Sequence, residues 1–173
     1  MKAYLAGGCF WCMEKPYHTI EGVRAVTSGY CGGDEADAVY ESVKAQQTMH
    51  RETVCIDYDE TQISFAELLE VYLGSIDPFD EGGQFIDRGR SYTCAVYCTD
   101  AEQERVTRER LARIEREYGQ AAAVAVEPFR AFYPAEEYHQ NYAEKNPEAY
   151  AREFEDSGRR AFRESKEKTD REE

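Results

Sequence analysis

The 173 residues predict one α/β domain. The length suits a single core of ordinary size and is short for two. Segments that alternate with period two take turns with segments whose apolar residues recur every three to four positions, so strands and helices are interleaved. No run of eighteen apolar residues occurs, which leaves no candidate for a membrane-spanning helix.

Taken in order, Ala3–Ala6 reads as a short strand, Gly7-Gly8 as a turn, and Cys9 as the start of a helix that Pro16 limits. Val23–Ser28 and Thr53–Tyr58 are the next strands, the second placing Val54, Ile56 and Tyr58 on one face. Ser64 followed by Glu67 forms a capping-box pattern, and Leu68, Leu69, Tyr72 and Leu73 give that helix a buried stripe. A strand at Tyr92–Cys98 leads to a long amphipathic helix from Ala101 to Tyr118, opened by Thr99 with Glu102 and closed by Gly119. Val124–Val126 is the last strand. The loops at 29–49 and 77–90 are long, and long loops on a compact scaffold are where sites are built. After a folded domain at 1–150, residues 151–173 alternate Arg, Glu, Lys and Asp with few apolar residues. They read as an exposed charged tail, in which the Arg159–Arg163 and Glu164–Lys168 spacings support a solvated helix.

A net charge of −14 argues against nucleic acid or an anionic membrane as partner, since both demand clustered positive charge. The first residues, Met1-Lys2-Ala3-Tyr4-Leu5, hold too short an apolar stretch for a secretion signal, so a soluble cytoplasmic protein is expected. Six cysteines, at 9, 12, 31, 55, 94 and 98, are then expected as reduced thiols doing redox or metal chemistry.

The strongest chemical signal is Gly7-Gly8-Cys9-Phe10-Trp11-Cys12, a cysteine between a predicted strand and a predicted helix. Free N–H groups at a helix start stabilise a thiolate, the nucleophilic form of the side chain. The same string also admits a buried cysteine flanked by core aromatics, or a thioredoxin-like Cys9-x-x-Cys12 redox pair. Zinc is disfavoured: Cys94 and Cys98 share a face of a predicted strand about 13 Å apart, too far for one ion, and no metal is expected.

The chain resembles the A-type peptide-methionine sulfoxide reductases over residues 3 to 142. Gly8-Cys9-Phe10-Trp11 is the family's most specific string. It is followed in order by Ser28 to Gly33, Tyr40 to Val43, His50-Arg51-Glu52, Asp77-Pro78, Gly82 to Phe85, Asp87-Arg88-Gly89 with Tyr92, and Phe132 to Gln140. The resemblance implies a mainly antiparallel or mixed sheet covered by helices, with a ferredoxin-like core. It implies Cys9 as nucleophile, Phe10 and Trp11 as the pocket for the sulfoxide methyl, Glu52 as the acid, and Tyr40, Asp87 and Tyr92 as further site positions. It implies reduction of methionine S-sulfoxide, free or within oxidised proteins, with thioredoxin or a similar thiol supplying electrons, no bound cofactor and a monomeric chain.

The chemistry of the residues agrees with these roles, because a sulfoxide is a poor electrophile until its oxygen is protonated. Burial of Glu52 among Trp11, Tyr40 and Tyr92 would hold its carboxyl neutral for that purpose. Two positions depart from the family pattern: Met49-His50-Arg51-Glu52 replaces the usual Gly-His-Ala-Glu, and Thr93 stands where Arg is common. Many relatives of that family use a resolving cysteine in the C-terminal tail; the tail here holds none, and the last cysteine is Cys98. Cys12, nearest in sequence, and Cys31, in a predicted glycine-rich loop, are the candidates for resolving a Cys9 sulfenic acid, beside direct reduction by an external thiol. Cys55, Cys94 and Cys98 fall on predicted strands as small core residues. A general disulfide reductase using Cys9 and Cys12, and a module that senses oxidised methionine without turnover, are the rival readings.

Overall fold

The computed structural model describes residues 1–172, the last by its backbone alone, and Glu173 of the expected tail lies outside the described residues. Eight strands are present among them: β1 (Lys2–Gly7), β2 (Val23–Cys31), β3 (Arg51–Tyr58), β4 (Gly83–Gln84), β5 (Asp87–Arg88), β6 (Cys94–Cys98), β7 (Val124–Pro128) and β8 (Phe132–Pro134). The helices are α1 (Phe10–Glu14), α2 (Tyr40–Lys44), α3 (Phe65–Ser75), α4 (Ala101–Tyr118), α5 (Tyr142–Lys145), α6 (Pro147–Asp156) and α7 (Arg159–Glu172). Six strands form one sheet in the order β7-β6-β1-β3-β2-β8. Every pairing in it is antiparallel except that of β6 with β7. The mainly antiparallel sheet covered by helices is therefore as expected.

Strand alternation divides the core in two. Ala3 and Leu5 of β1, Val54 and Ile56 of β3, and Val96 of β6 meet Phe10 and Met13 of α1, Leu68, Leu69 and Tyr72 of α3, and Leu111 and Ile114 of α4. The other face gathers Tyr4, Ala6, Cys31, Cys55, Ala95 and Tyr97 under Phe129 and Phe132, with Phe129 stacked on Tyr4 at 3.9 Å.

Several boundaries differ from expectation for local reasons. β2 runs on past Ser28 to Cys31 because β3 and β8 pair with it on both sides. Gly29 permits this, since a Cβ there would lie 2.4 Å from the Phe132 ring and 2.5 Å from the Tyr133 carbonyl. Tyr92 does not open a strand: it ends a 3-10 turn, Arg90–Tyr92, held when Ser91 N donates to Gln46 Oε1 at 3.0 Å. The expected capping box of α3 is present in full, whereas α4 is capped one residue later than expected, by Asp100 accepting from Gln103 N at 2.8 Å. Thr99 instead donates its N–H to Gln103 Oε1 at 3.0 Å, and Gly119 closes α4 at φ +63° as expected.

The largest correction concerns the C-terminal segment, which is not free in solvent. It folds into α6 and α7, and Tyr150, Ser157 and Arg159 are buried. Phe162 packs on Phe85 at 5.2 Å between ring centres. Lys166 Nζ donates to the carbonyls of Leu73 and Ile76 at 3.3 and 3.1 Å, capping the open end of α3. No helix among the described residues is long and apolar enough to cross a membrane.

Candidate active site

Sheet register brings the predicted residues together. β1 ends with Gly7 opposite Cys94 of β6, while Leu5 stands opposite Val54 of β3. The chain leaving β1 through Gly8 and Cys9 therefore emerges between the start of β3, at Glu52, and the turn before β6, at Tyr92. Alternation turns Glu52 to the same face as Val54 and Ile56. Gly8 makes the turn at φ +86°, and a Cβ on it would lie 2.7 Å from Arg159 Nη2 and 2.8 Å from Gln84 Cβ. Cys9 precedes α1, its carbonyl accepting from Cys12 N and Met13 N at 3.1 and 3.2 Å.

Cys9 and Cys12 are buried together with Tyr150, flanked by Trp11, Tyr142 and Phe154. A hydrogen bond between the two thiols lowers Cys12 below the ordinary thiol value and, with burial, raises Cys9 well above it. The pair thus gives up its first proton readily and holds the second. Glu52 is 2 % exposed. Burial pushes its carboxyl up to about 8, with the Asp87 charge adding to the rise. The Phe10 N–H, 3.3 Å from Oε1, opposes it, as do Tyr92 and Arg159. At neutral pH Glu52 is a proton donor. Tyr40 and Tyr92, raised above the usual phenol value chiefly by burial, are neutral O–H groups beside it.

The aromatic wall is assembled from separate segments. Trp11 stacks on Tyr142 of α5, with ring centres 3.7 Å apart and planes at 8°. Its Nε1–H donates to His139 Nδ1 at 3.1 Å. That bond assigns the imidazole proton to Nε2, 3.7 Å from Glu136 Oε2, and burial holds the ring neutral. Tyr40 and Phe10 pack on the same imidazole at 4.2 and 5.1 Å. Below them the buried Glu14 carboxylate accepts from Ser28 Oγ at 3.0 Å and Asn141 N at 2.8 Å, tying α1 to β2 and to the start of α5.

Of the two candidate resolving thiols only Cys12 is beside Cys9. Cys31 is the last residue of β2 and points to the opposite side of the sheet, buried with Tyr4, Cys55 and Tyr97. Burial pushes its thiol up to about 12. Cys55, Cys94 and Cys98 are buried strand residues, as expected. The two departures from the family pattern touch one another: Arg51 Nε donates to Thr93 Oγ1 at 2.8 Å, and its Nη1 to Tyr97 OH at 2.9 Å and to Glu127 at 3.1 Å. Among the described residues no group of three or more His, Cys, Asp and Glu side chains could hold a metal ion.

Arg159 is the residue the sequence reading missed. It is 4 % exposed and its Nη1 donates to Asp87 Oδ2 at 3.2 Å. The available signal was the apolar spacing of Tyr150, Phe154 and Phe162, which marks a packed helical face inside a segment whose average composition is charged.

An ionisable thiol pair beside a carboxyl that stays protonated suits chemistry in which sulfur attacks and oxygen departs with a proton. The fold and site thus define a thiol-dependent oxidoreductase. A profile of the family described as peptide methionine sulfoxide reductase matches residues 1–171. The chain is 41% identical over 165 residues to peptide methionine sulfoxide reductase MsrA 2 of Staphylococcus aureus (strain MRSA252), covering 94% of this chain and 93% of that one. It is similar to the crystal structure of reduced Mxr1 from Saccharomyces cerevisiae, with a TM-score of 0.80 and 27% identity over 86% of each chain. It is also similar to methionine sulfoxide reductase A of Corynebacterium diphtheriae, with a TM-score of 0.76 and 26% identity over 84% of this chain and 74% of that one. Mxr1 has further been solved in complex with Trx2, a likeness that at 19% identity and a TM-score of 0.57 bears on fold alone. The chain belongs to the peptide methionine sulfoxide reductase family, and as such it is an oxidoreductase that returns methionine sulfoxide to methionine.

Proposed function

We propose that this chain reduces methionine S-sulfoxide, free or within proteins, with Cys9 as nucleophile and Glu52 as general acid, and that Cys12 resolves the oxidised enzyme. The observation that carries this reading is the buried Glu52 carboxyl, protonated up to about pH 8, hydrogen-bonded to the N–H of the residue that follows Cys9. In the first step Cys9, yielding the shared proton to the Cys12 thiolate beside it, attacks the substrate sulfur as a thiolate while Glu52 and the Tyr40 and Tyr92 hydroxyls protonate and hold its oxygen. Collapse transfers that oxygen to Cys9, giving methionine and a Cys9 sulfenic acid: sulfur of the substrate is reduced and the thiol is oxidised. Phe10 and Trp11 form the apolar wall for the methyl group, and Asp87 orients the polar groups on the far side.

In the second step the Cys12 thiolate attacks Cys9 Sγ, the hydroxide leaves as water with one proton, and a Cys9–Cys12 disulfide forms. An external dithiol, thioredoxin or a similar protein, then takes up the disulfide by exchange. Mxr1, to which this chain is 27% identical in the reduced form, is a protein that has been solved with Trx2, and that supports this choice of donor. Six free cysteines support a reducing compartment, the cytoplasm, as the place of work.

A coupled assay with dithiothreitol and methionine sulfoxide separates turnover from mere recognition, and insulin reduction separates a general disulfide reductase. Oxidising the protein with substrate in the absence of reductant is expected to consume two thiols per molecule and to give a peptide carrying a Cys9–Cys12 bridge. A dimedone adduct on Cys9 with Cys12 still free would instead assign regeneration to direct attack by an external thiol.

A further inference from the structure

We infer that Arg159 is a positioning residue of the thiol site, holding Asp87 in place and serving as the fixed countercharge for the thiolate form of the Cys9–Cys12 pair. The inference deepens the proposed function, since it concerns how the same two sulfurs are made reactive. Its basis is a guanidinium left incomplete by everything else around it.

Arg159 stands at the first position of α7, and its side chain runs inward with only 4 % exposed. Nη1 is bonded to Asp87. Nε and Nη2 are buried with no hydrogen-bond partner. Nη2 lies over Gly8, which has no Cβ to block it, and the guanidinium carbon sits 4.8 Å above the Phe85 ring. A buried guanidinium with unpaired donors is costly to keep unless an anion completes it.

The groups whose charge acts most strongly on Arg159 are Cys12 and then Cys9, both ahead of Asp87. From the side of the sulfurs the picture is complementary. The acids facing them are Glu52 of β3, Asp87 of β5 and Glu153 of α6. Phenols from four directions, Tyr40, Tyr92, Tyr142 and Tyr150, face them as well, each raised above its ordinary value and so uncharged. Among the described residues that bear most strongly on the two thiols, Arg159 alone is cationic. Acidic neighbours alone would suppress the thiolate; the guanidinium offsets them. The same charge serves both steps, first when Cys9 attacks the sulfoxide and again when Cys12 attacks the sulfenic acid.

The test is the pH dependence of iodoacetamide alkylation at Cys9 and Cys12, read by peptide mass spectrometry on the reduced full-length protein without any sulfoxide. Arg159→Gln is expected to raise the alkylation midpoint of the pair by about one pH unit or more and to slow reaction at pH 7 about tenfold, while Arg159→Lys keeps the charge and stays close to wild type. A folded Arg159→Gln protein, judged by circular dichroism and melting temperature, with an unshifted midpoint would overturn the inference. Should Arg159→Gln fail to fold, Arg159→Met decides: it keeps an unbranched stem in place of the guanidinium and removes only the charge and the donors, so the midpoint must rise, and an unchanged or lowered midpoint counts against the inference. Because no substrate is present, failure of the sulfoxide chemistry itself would register elsewhere, as normal turnover by Cys9→Ser.

Discussion

At the scale of single residues the site depends on two protons held where water would not leave them. Cys9→Ser is expected to abolish reduction and leave the melting temperature within a few degrees, because an alcohol at neutral pH offers no soft anion; turnover by that variant would exclude the mechanism. Glu52→Gln keeps the shape and loses the proton, so single-turnover reduction is expected to slow by about 100- to 10,000-fold with substrate affinity little changed. Wild-type activity should decline as pH rises through about 8, where the buried carboxyl ionises, and the residual activity of Glu52→Gln should lack that limb. Cys9, Phe10, Trp11 and Glu52 were legible because each sits in a short string whose spacing survives without the fold. Cys31 was not, because its position depends on strand parity: β2 reaches three residues further than its apolar pattern shows, and residue 31 then faces away from residue 30.

At the scale of elements, the interior segments with strong local signals came out where expected, and those decided by distant partners did not. Ser64 and Glu67 specify the start of α3 by themselves, so Ser64→Ala is expected to cost about 1 kcal/mol in urea unfolding and nothing in activity. Arg51 is the opposite case. Its guanidinium joins β3 to β6 and β7 through Thr93, Tyr97 and Glu127, contacts that no reading along the chain could pair. Arg51→Ala should destabilise the protein by about 1–3 kcal/mol, since the buried Tyr97 hydroxyl loses the charged donor it accepts from and the half-buried Thr93 loses its tie to β3. If equilibrium unfolding shows no loss, the contact is dispensable. Helices α6 and α7 were hidden for a related reason: charged residues dominate their outer faces, and the few apolar ones make sense only against Cys12 and Phe85.

At the scale of the whole molecule, burying Glu52 links folding to pH. Its carboxyl is raised from 4.5 to about 8, so the folded state is favoured fully below about 4.5 and loses that contribution as pH climbs through 8. The difference amounts to something on the order of 5 kcal/mol, and Glu52→Gln should flatten the decline in melting temperature across that window; an equally steep decline in the variant would assign the linkage to other groups. The aromatic stack described above has an optical consequence. Trp11 is the sole tryptophan of the chain, and it lies in the same cluster as Cys9 and Cys12. A thiolate next to an excited indole drains its emission, whereas a disulfide or sulfenic acid changes that quenching. The protein therefore contains its own fluorophore at the reacting atoms, and stopped-flow emission should resolve oxygen transfer from disulfide closure, the second phase vanishing in Cys12→Ser.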